Sequence, residues 1–447
     1  MYNNYGPPQG QWGQQAPLGY QPGYQNGPPP AGYNGQPGQA PYGGYNNQPQ
    51  PSYGAPPVSQ YGGPPQGQYG APPASGGYSG GAQQYGGHSP QPSYGAPPQG
   101  QYGAPQPSFN GQQGPTTFLG VLIPAPPPAV PISTLAGYNA QFDAERIRKA
   151  TKGFGTDEKT IIDTLAPLDP FQIEVLSKTY EQTVGRSLKV TLEKELSGWL
   201  EYALVLKSLG PLQGDVYLLD RSCDGVGTHE DLLNEILLCR SNEEIFLLKE
   251  MYRRTYNKDL AQTVKGELSM KTERMFNMAM SGQRDESPYL NQQLVQQDVE
   301  ALYRAGPGKI GTDEIAICGI LCSRSNQHLK AIAQAFPARH RVTLSNMIKS
   351  EFSGHMQDAL FYIARGVEAD GDGVVRDAEL LNAAMAGMGT KDERLCYRLV
   401  RAHWNRPRFN AIKNQYQSLY GKSLRKVVES ETSGKLEKAL VAVIEQN

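Results

Sequence analysis

Lys152-Gly-Phe-Gly-Thr-Asp-Glu158 decides how this chain folds, because its pattern returns three more times. The other copies are Asp224-Gly-Val-Gly-Thr-His-Glu230, Lys309-Ile-Gly-Thr-Asp-Glu314 and Ala386-Gly-Met-Gly-Thr-Lys-Asp392. Their last glycines, Gly155, Gly227, Gly311 and Gly389, stand 72, 84 and 78 residues apart. A second motif trails each copy: Glu195-Leu-Ser-Gly198, Glu267-Leu-Ser-Met270, Glu351-Phe-Ser-Gly354 and Glu431-Thr-Ser-Gly434. Two linked motifs returning in step describe an internal repeat, not a lone glycine turn.

Each unit reads as helical. Thr156, Thr228, Thr312 and Thr390 fall where helix N-caps belong, with acids in the following turn to suit the dipole. Asp169-Pro170 predicts a cap and a proline at the first helical position, opening a helix through Phe171, Val175, Leu176 and Tyr180. Val184-Gly-Arg-Ser-Leu188, Tyr256-Asn-Lys-Asp-Leu260 and Tyr420-Gly-Lys-Ser-Leu424 place Gly or Asn where a helix stops in the left-handed conformation. A further helix runs to each Glu, and the Ser after it caps the last one, such as Trp199–Leu209. The expectation is five helices per unit, no strand, and an all-α class.

The composition divides the chain. The first charged side chain is Asp143, and before it lie 29 of the 36 prolines, 29 of the 51 glycines and 15 of the 26 tyrosines. Such a segment buries too little apolar surface to offset its chain entropy, so residues 1–134 read as a disordered tail. Its units, such as Ser52-Tyr-Gly-Ala-Pro-Pro57 and Ser93-Tyr-Gly-Ala-Pro-Pro98, suit weak tyrosine stacking and self-association. A solvated spacer accounts for them equally well. Phe118–Ile123 is the one apolar stretch there able to dock on the body or hold a partner.

The charge is nearly balanced, 41 basic against 42 acidic residues. A polybasic hold on nucleic acid or lipid is therefore not expected, since each basic group near an anionic membrane gives only about 1 kcal/mol. Five cysteines with no CxxC exclude a disulfide framework and a zinc site of that kind. No apolar run reaches spanning length and no signal peptide opens the chain, so it reads as soluble and intracellular. No GxSxG, HExxH or Cys–His nucleophile pattern occurs, and no enzyme is expected.

Glycine lets a loop turn several carbonyls toward one point. Calcium takes six to eight oxygens, and three carbonyls plus a bidentate carboxylate supply about five. Water or a lipid phosphate completes the shell, which makes lipid binding calcium-dependent. A nearly neutral protein can then hold an anionic surface. The bland alternative, tight turns and capping acids, would not require loop and acid to recur together four times.

The Lys-Gly-x-Gly-Thr-Asp loops with their delayed Glu-x-Ser-Gly motifs resemble those of the annexins over residues 135–447, and the tail is similar to that of the long-tailed, synexin-like members. The resemblance implies a curved disc of four five-helix repeats (135–210, 211–286, 287–367 and 368–447) that binds acidic phospholipid through calcium. Carried over by position, the calcium ligands are Thr151, Gly153, Gly155 and Glu195; Cys223, Gly225, Gly227 and Glu267; Gly306, Lys309, Gly311 and Glu351; and Met385, Gly387, Gly389 and Glu431. An accessory metal site falls at Thr156 and Glu158. Loop tips Phe154, Val226, Ile310 and Met388 are candidates for membrane contact, with local packing as the alternative.

The chain departs from the pattern in places. Asp224 and Ala386 replace the loop lysine, Met270 replaces a glycine, and Glu429 keeps the first unit's spacing better than Glu431 does. Glu368–Glu379 also fits an EF-hand loop, with Gly373 at position six, although Glu at position one is poor and the stretch joins two units. Gly421-Lys422-Ser423 ends like a phosphate loop but lacks its first glycine, Tyr416 standing there. Asp215 and Arg240 are expected to line a polar centre between units. The expected function is calcium-dependent membrane binding, as scaffold or vesicle-linking adaptor in trafficking, by a cytoplasmic protein peripheral on membranes when calcium rises. The alternative is a tail-driven interaction or RNA-granule scaffold with an inert helical support.

Overall fold

A computed structural model describes residues 116–125, 135–225 and 227–446. The remainder of the expected tail, residues 1–115 and 126–134, lies outside the described residues, as does Val226.

Four units of five helices follow one another. The first holds α1 (Ala140–Ala150), α2 (Glu158–Leu165), α3 (Pro170–Val184), α4 (Leu188–Glu195) and the first half of α5 (Gly198–Ser222). The second takes the rest of α5, then α6 (Glu230–Leu237), α7 (Asn242–Tyr256), α8 (Leu260–Glu267) and α9 (Met270–Ala279). The third contains α10 (Gln292–Ala305), α11 (Glu314–Ser323), α12 (Asn326–His340), α13 (Leu344–Glu351) and α14 (Gly354–Glu368). The fourth contains α15 (Val374–Met385), α16 (Asp392–Trp404), α17 (Arg406–Tyr420), α18 (Leu424–Glu431) and α19 (Gly434–Glu445).

The expected end of a helix at Leu209 is a kink rather than a stop. Gly210 leaves helical geometry (φ 74°, ψ 178°) and Pro211 restarts the helix, so α5 closes one unit and opens the next. Asp169 forms a capping box with Gln172 ahead of Pro170. Gly185, Asn257 and Gly421 end their helices left-handed, and Arg341 does so in the third unit. Ser197, Ser353 and Ser433 stand at N-cap positions but make no side-chain cap bond.

Units pack in pairs. Helices α5 and α2 of the first unit meet α16 and α19 of the fourth, while α9 and α6 of the second meet α11 and α14 of the third. Buried apolar residues form one cluster in the first unit, extended by Trp404 and Ala439, and another through the remaining units.

The strand-free expectation is corrected at one place. Thr116–Phe118 (β1) and Val121–Ile123 (β2) pair antiparallel around Leu119 and Gly120, both at positive φ (54° and 72°). That is the backbone of a two-residue turn whose twist matches the strands. Phe118 (0% exposed) and Ile123 (2%) share the buried face and join the larger cluster. Glu244 accepts the Leu119 amide at 2.7 Å, Glu243 the Thr116 hydroxyl at 2.6 Å, and Asn405 donates to the Leu119 carbonyl at 3.2 Å. The hairpin is thus fastened to the second and fourth units, and the disordered reading fails for residues 116–123.

The hairpin tip also lines a cavity of about 540 Å³ with Glu235, Arg240, Arg398 and Arg401. Asp215, 1% exposed, is gripped by Arg401 at 2.7 Å and lies 3.8 Å from Arg240. Glu235 accepts from Tyr397 at 2.7 Å and Arg398 at 2.5 Å. The polar centre exists, with every one of these charges partnered inside it.

Candidate functional site

Each repeated loop leaves the first helix of its unit and is closed by a backbone bond. The amides of Asp157, His229, Asp313 and Lys391 donate to the carbonyls of Ala150, Ser222, Ala305 and Ala384 at 2.9, 3.1, 2.6 and 2.8 Å. Inside the first loop, Gly153 and Gly155 take φ of 110° and 81°, a region that a side chain would strain, and no heavy atom lies within 4 Å of a β-carbon placed on either. Backbone conformation, not crowding, thus requires glycine here, and the equivalents in the second and fourth loops repeat it. The third loop differs: a β-carbon on Gly308 would lie 2.8 Å from the Tyr303 carbonyl, so close approach to α10 explains its altered spacing.

The threonines are not the caps they were expected to be. The capping position falls one residue later, on Asp157, His229, Asp313 and Lys391, of which only the two aspartates cap through the side chain. The hydroxyls turn instead to the second motif. Thr156 donates to the Glu195 carbonyl at 3.1 Å, Thr228 to that of Glu267 at 3.2 Å, and Thr390 to that of Glu431 at 2.8 Å. Thr228 also reaches the Glu267 carboxylate at 3.3 Å, and Thr312 the Glu351 carboxylate at 2.6 Å. The sequence carried this signal: the residue after each threonine changes between Asp, His and Lys, while the threonine does not.

Glu195, Glu267, Glu351 and Glu431 each end a helix of eight residues. A carboxylate at a helix C-terminus opposes the dipole, at about 0.3–1 kcal/mol. Four such acids beside four loops form an arrangement that a cation would relieve. Glu195 lies 3.7 Å from Arg186. Glu351 packs so near Gly306 that a β-carbon there would stand 3.3 Å from its Cγ. Glu431 is the most open of the four, and it is the one Thr390 holds; Glu429 is engaged by Arg425 at 3.0 Å. The Gly306 carbonyl accepts the Lys309 amide at 3.2 Å, which leaves it a second lone pair.

Phe154, Ile310 and Met388 are 111%, 105% and 106% exposed, so none packs locally. Met270, where the other units have glycine at positive φ, is 81% exposed. The preceding Ser269 takes φ −69°, against −151°, −146° and −144° for Ser197, Ser353 and Ser433. The Met270 substitution therefore reshapes the turn beside the second loop. Cys223 is half-buried, its thiol pushed up by burial. Glu158 of the expected accessory site is ion-paired to Lys435 at 3.0 Å.

The two lookalikes are resolved. Asp370 accepts the amides of Asp372, Gly373 and Val375, and Glu379 is bound by Arg365. Positions seven to twelve of the supposed EF-hand are the start of α15, so its ligands do not converge. Gly421 ends α17 and Ser423 caps α18, a helix turn and no phosphate loop.

Carbonyls, one carboxylate and a hydroxyl make each loop an all-oxygen donor set suited to a hard cation. Among the described residues no group of three His, Cys, Asp or Glu side chains could hold a metal, so a site here draws on the backbone. The residues present fit calcium by this donor chemistry, with the Glu351 side chain packed against Gly306 and the Gly306 carbonyl keeping a lone pair free. Among the described residues no helix is long and apolar enough to cross a membrane.

Fold and loops together define an all-α repeat protein that presents oxygen donors in four glycine loops. The Annexin family profile matches residues 142–206, 214–278, 297–363 and 376–443. Annexin C1 of Cryptococcus neoformans var. grubii is 73% identical over 466 aligned residues, spanning 100% of this chain and 99% of that protein. The solved structure of annexin III is similar at TM-score 0.64 and 32% identity, over 69% of this chain and 95% of its own. Calcium-bound annexin (Sm)1 is similar at TM-score 0.58 and 25% identity, over 70% of this chain and 92% of its own. The chain belongs to the Annexin family.

Proposed function

We propose that this protein binds acidic phospholipid surfaces through calcium held in its four loops, working in the cytoplasm as a peripheral scaffold or vesicle-linking adaptor. The fourfold tie between loop threonine and motif glutamate carries this reading, because it brings to each loop the carboxylate that its carbonyls lack. The ligands would be Thr151, Gly153, Gly155 and Glu195 in the unit spanning 135–210, and Cys223, Gly225, Gly227 and Glu267 in 211–286. In 287–367 they would be Gly306, Lys309, Gly311 and Glu351, and in 368–447 Met385, Gly387, Gly389 and Glu431. Calcium supplies the positive charge that a chain of net charge −1 does not. The exposed Phe154, Ile310 and Met388 would enter the interface, each worth up to about 1.5–3 kcal/mol if fully buried. Self-association through the tail would link one membrane-bound molecule to another.

Changing Glu195, Glu267, Glu351 and Glu431 together to Gln keeps size and removes charge. Sedimentation with acidic liposomes should then require far more calcium at unchanged helix content, while Glu429→Gln behaves as the parent. An unaltered calcium requirement in the quadruple variant would remove the reading.

A further inference from the structure

The first residue of α2, α6, α11 and α16 is an acid in every unit: Glu158, Glu230, Glu314 and Asp392. Each belongs to a helix that packs against the last helix of the paired unit. Near the start of those last helices stand Trp199, Lys271, His355 and Lys435, one residue after the glycine position of the second motif. The structure joins three of these across the unit boundary. Lys435 meets Glu158 at 3.0 Å, Lys271 meets Glu314 at 2.7 Å, and His355 lies 3.7 Å from Glu230.

The chemistry of the partners differs. Lys435 and Lys271, themselves exposed, deliver full positive charges to partly buried carboxylates. His355 is held by Asn234 at 2.9 Å and burial lowers its pKa, so it is neutral at ordinary pH. Trp199 brings no charge, and among the described residues no side chain engages the Asp392 carboxylate.

We propose that Lys435 and Lys271 are built-in cations that occupy Glu158, the carboxylate of the accessory site, and Glu314, which holds the same place at the start of α11, so that a divalent cation reaches these positions beside the first and third loops only by displacing an ammonium from the paired unit. The inference rests on the calcium reading of the loops. It makes the four positions unequal: those at Glu158 and Glu314 are filled from within the chain, and those at Glu230 and Asp392 are not. It also places the competition at the seams between paired units. Both lysines are solvent-exposed, so their contribution to stability is small and their removal should leave the fold intact.

The test uses the full chain with Lys435→Met and Lys271→Met, singly and together, calcium being the probe. Calorimetric titration should find about one additional weak site per lysine removed, and Glu158→Gln added to Lys435→Met should abolish the gain. In chelator, every variant should melt and show helix content as the parent does, which separates lost competition from lost structure. An unchanged number and affinity of calcium sites in the double lysine variant would overturn the proposal. A parent that takes up no calcium would instead overturn the loop reading itself, a distinct result.

Discussion

The hydroxyl of Thr312 donates to the carboxylate of Glu351 at 2.6 Å across 39 residues of sequence. This bond aims the acid at its loop, whereas in the first and fourth units the hydroxyl grips only the backbone carbonyl of the acid, and in the second it divides between the Glu267 carbonyl at 3.2 Å and its carboxylate at 3.3 Å. The third loop therefore has its carboxylate oriented in advance.

Thr312→Val keeps the shape and deletes the donor. We expect a loss of about 1 kcal/mol in urea unfolding, and a higher calcium requirement for liposome sedimentation than Thr156→Val produces. Equal effects of the two changes would show that the orientation of Glu351 has no consequence.

His403 sits between two units, its Nε2 2.9 Å from the Lys207 Nζ, whose own pKa burial drives well down, and its Nδ1 3.2 Å from the Val443 carbonyl. Burial, then Lys207, Arg406 and Lys413, push its pKa down from 6.5 to about 2. A base whose folded pKa is depressed gives stability that is present above the unfolded value and lost as pH falls toward the folded one. Below pH 6.5 the parent should lose about 1.4 kcal/mol per pH unit through this group. His403→Gln should lack that portion of the slope, which denaturant unfolding between pH 4 and 7 would measure. Parallel profiles would refute it.

Phe118→Ala removes the largest buried group of the hairpin, at a cost of about 3–5 kcal/mol for a well-packed site. The hairpin has few other holds, so it should open by itself while the four units melt near the parent temperature. Brief chymotrypsin treatment should cut near Leu119 in the variant and spare the parent. Equal cutting of both proteins would contradict the docked hairpin.

Deleting residues 1–115, and so keeping the hairpin, should leave binding to single vesicles within a few-fold, because the removed segment has no carboxylate to give calcium and no charge to attract lipid. Clustering of vesicles, read as calcium-dependent turbidity, should fall. Undiminished clustering would make those residues a spacer.

Much of the architecture was legible because local signals suffice for it: glycine loops, the Asp169-Pro170 start, and Gly185, Asn257 and Gly421 as stops. The site was legible where repetition supplied a comparison within the chain, as for the glycines and the four glutamates. The hairpin was not, since strands of three residues are too short for alternation to register and Leu119-Gly120 is not a usual turn pair. The threonine bonds were misassigned because a hydroxyl ahead of a helix looks the same whether it caps or reaches across. The Lys435–Glu158 pair joins residues 277 positions apart and leaves no local trace.

Helix α5 runs from the first unit into the second through the Gly210-Pro211 kink with no loop between them. The units on either side are therefore phased like threads on a common screw. One residue added within Leu212–Gly214 would advance everything beyond it by roughly 1.5 Å and turn it by about 100°, carrying Asp215 away from Arg401. Between α9 and α10, the non-helical residues 280–291 can take up an extra residue without turning either neighbour. Length changes in relatives of this chain should accordingly gather at the second junction and avoid the first.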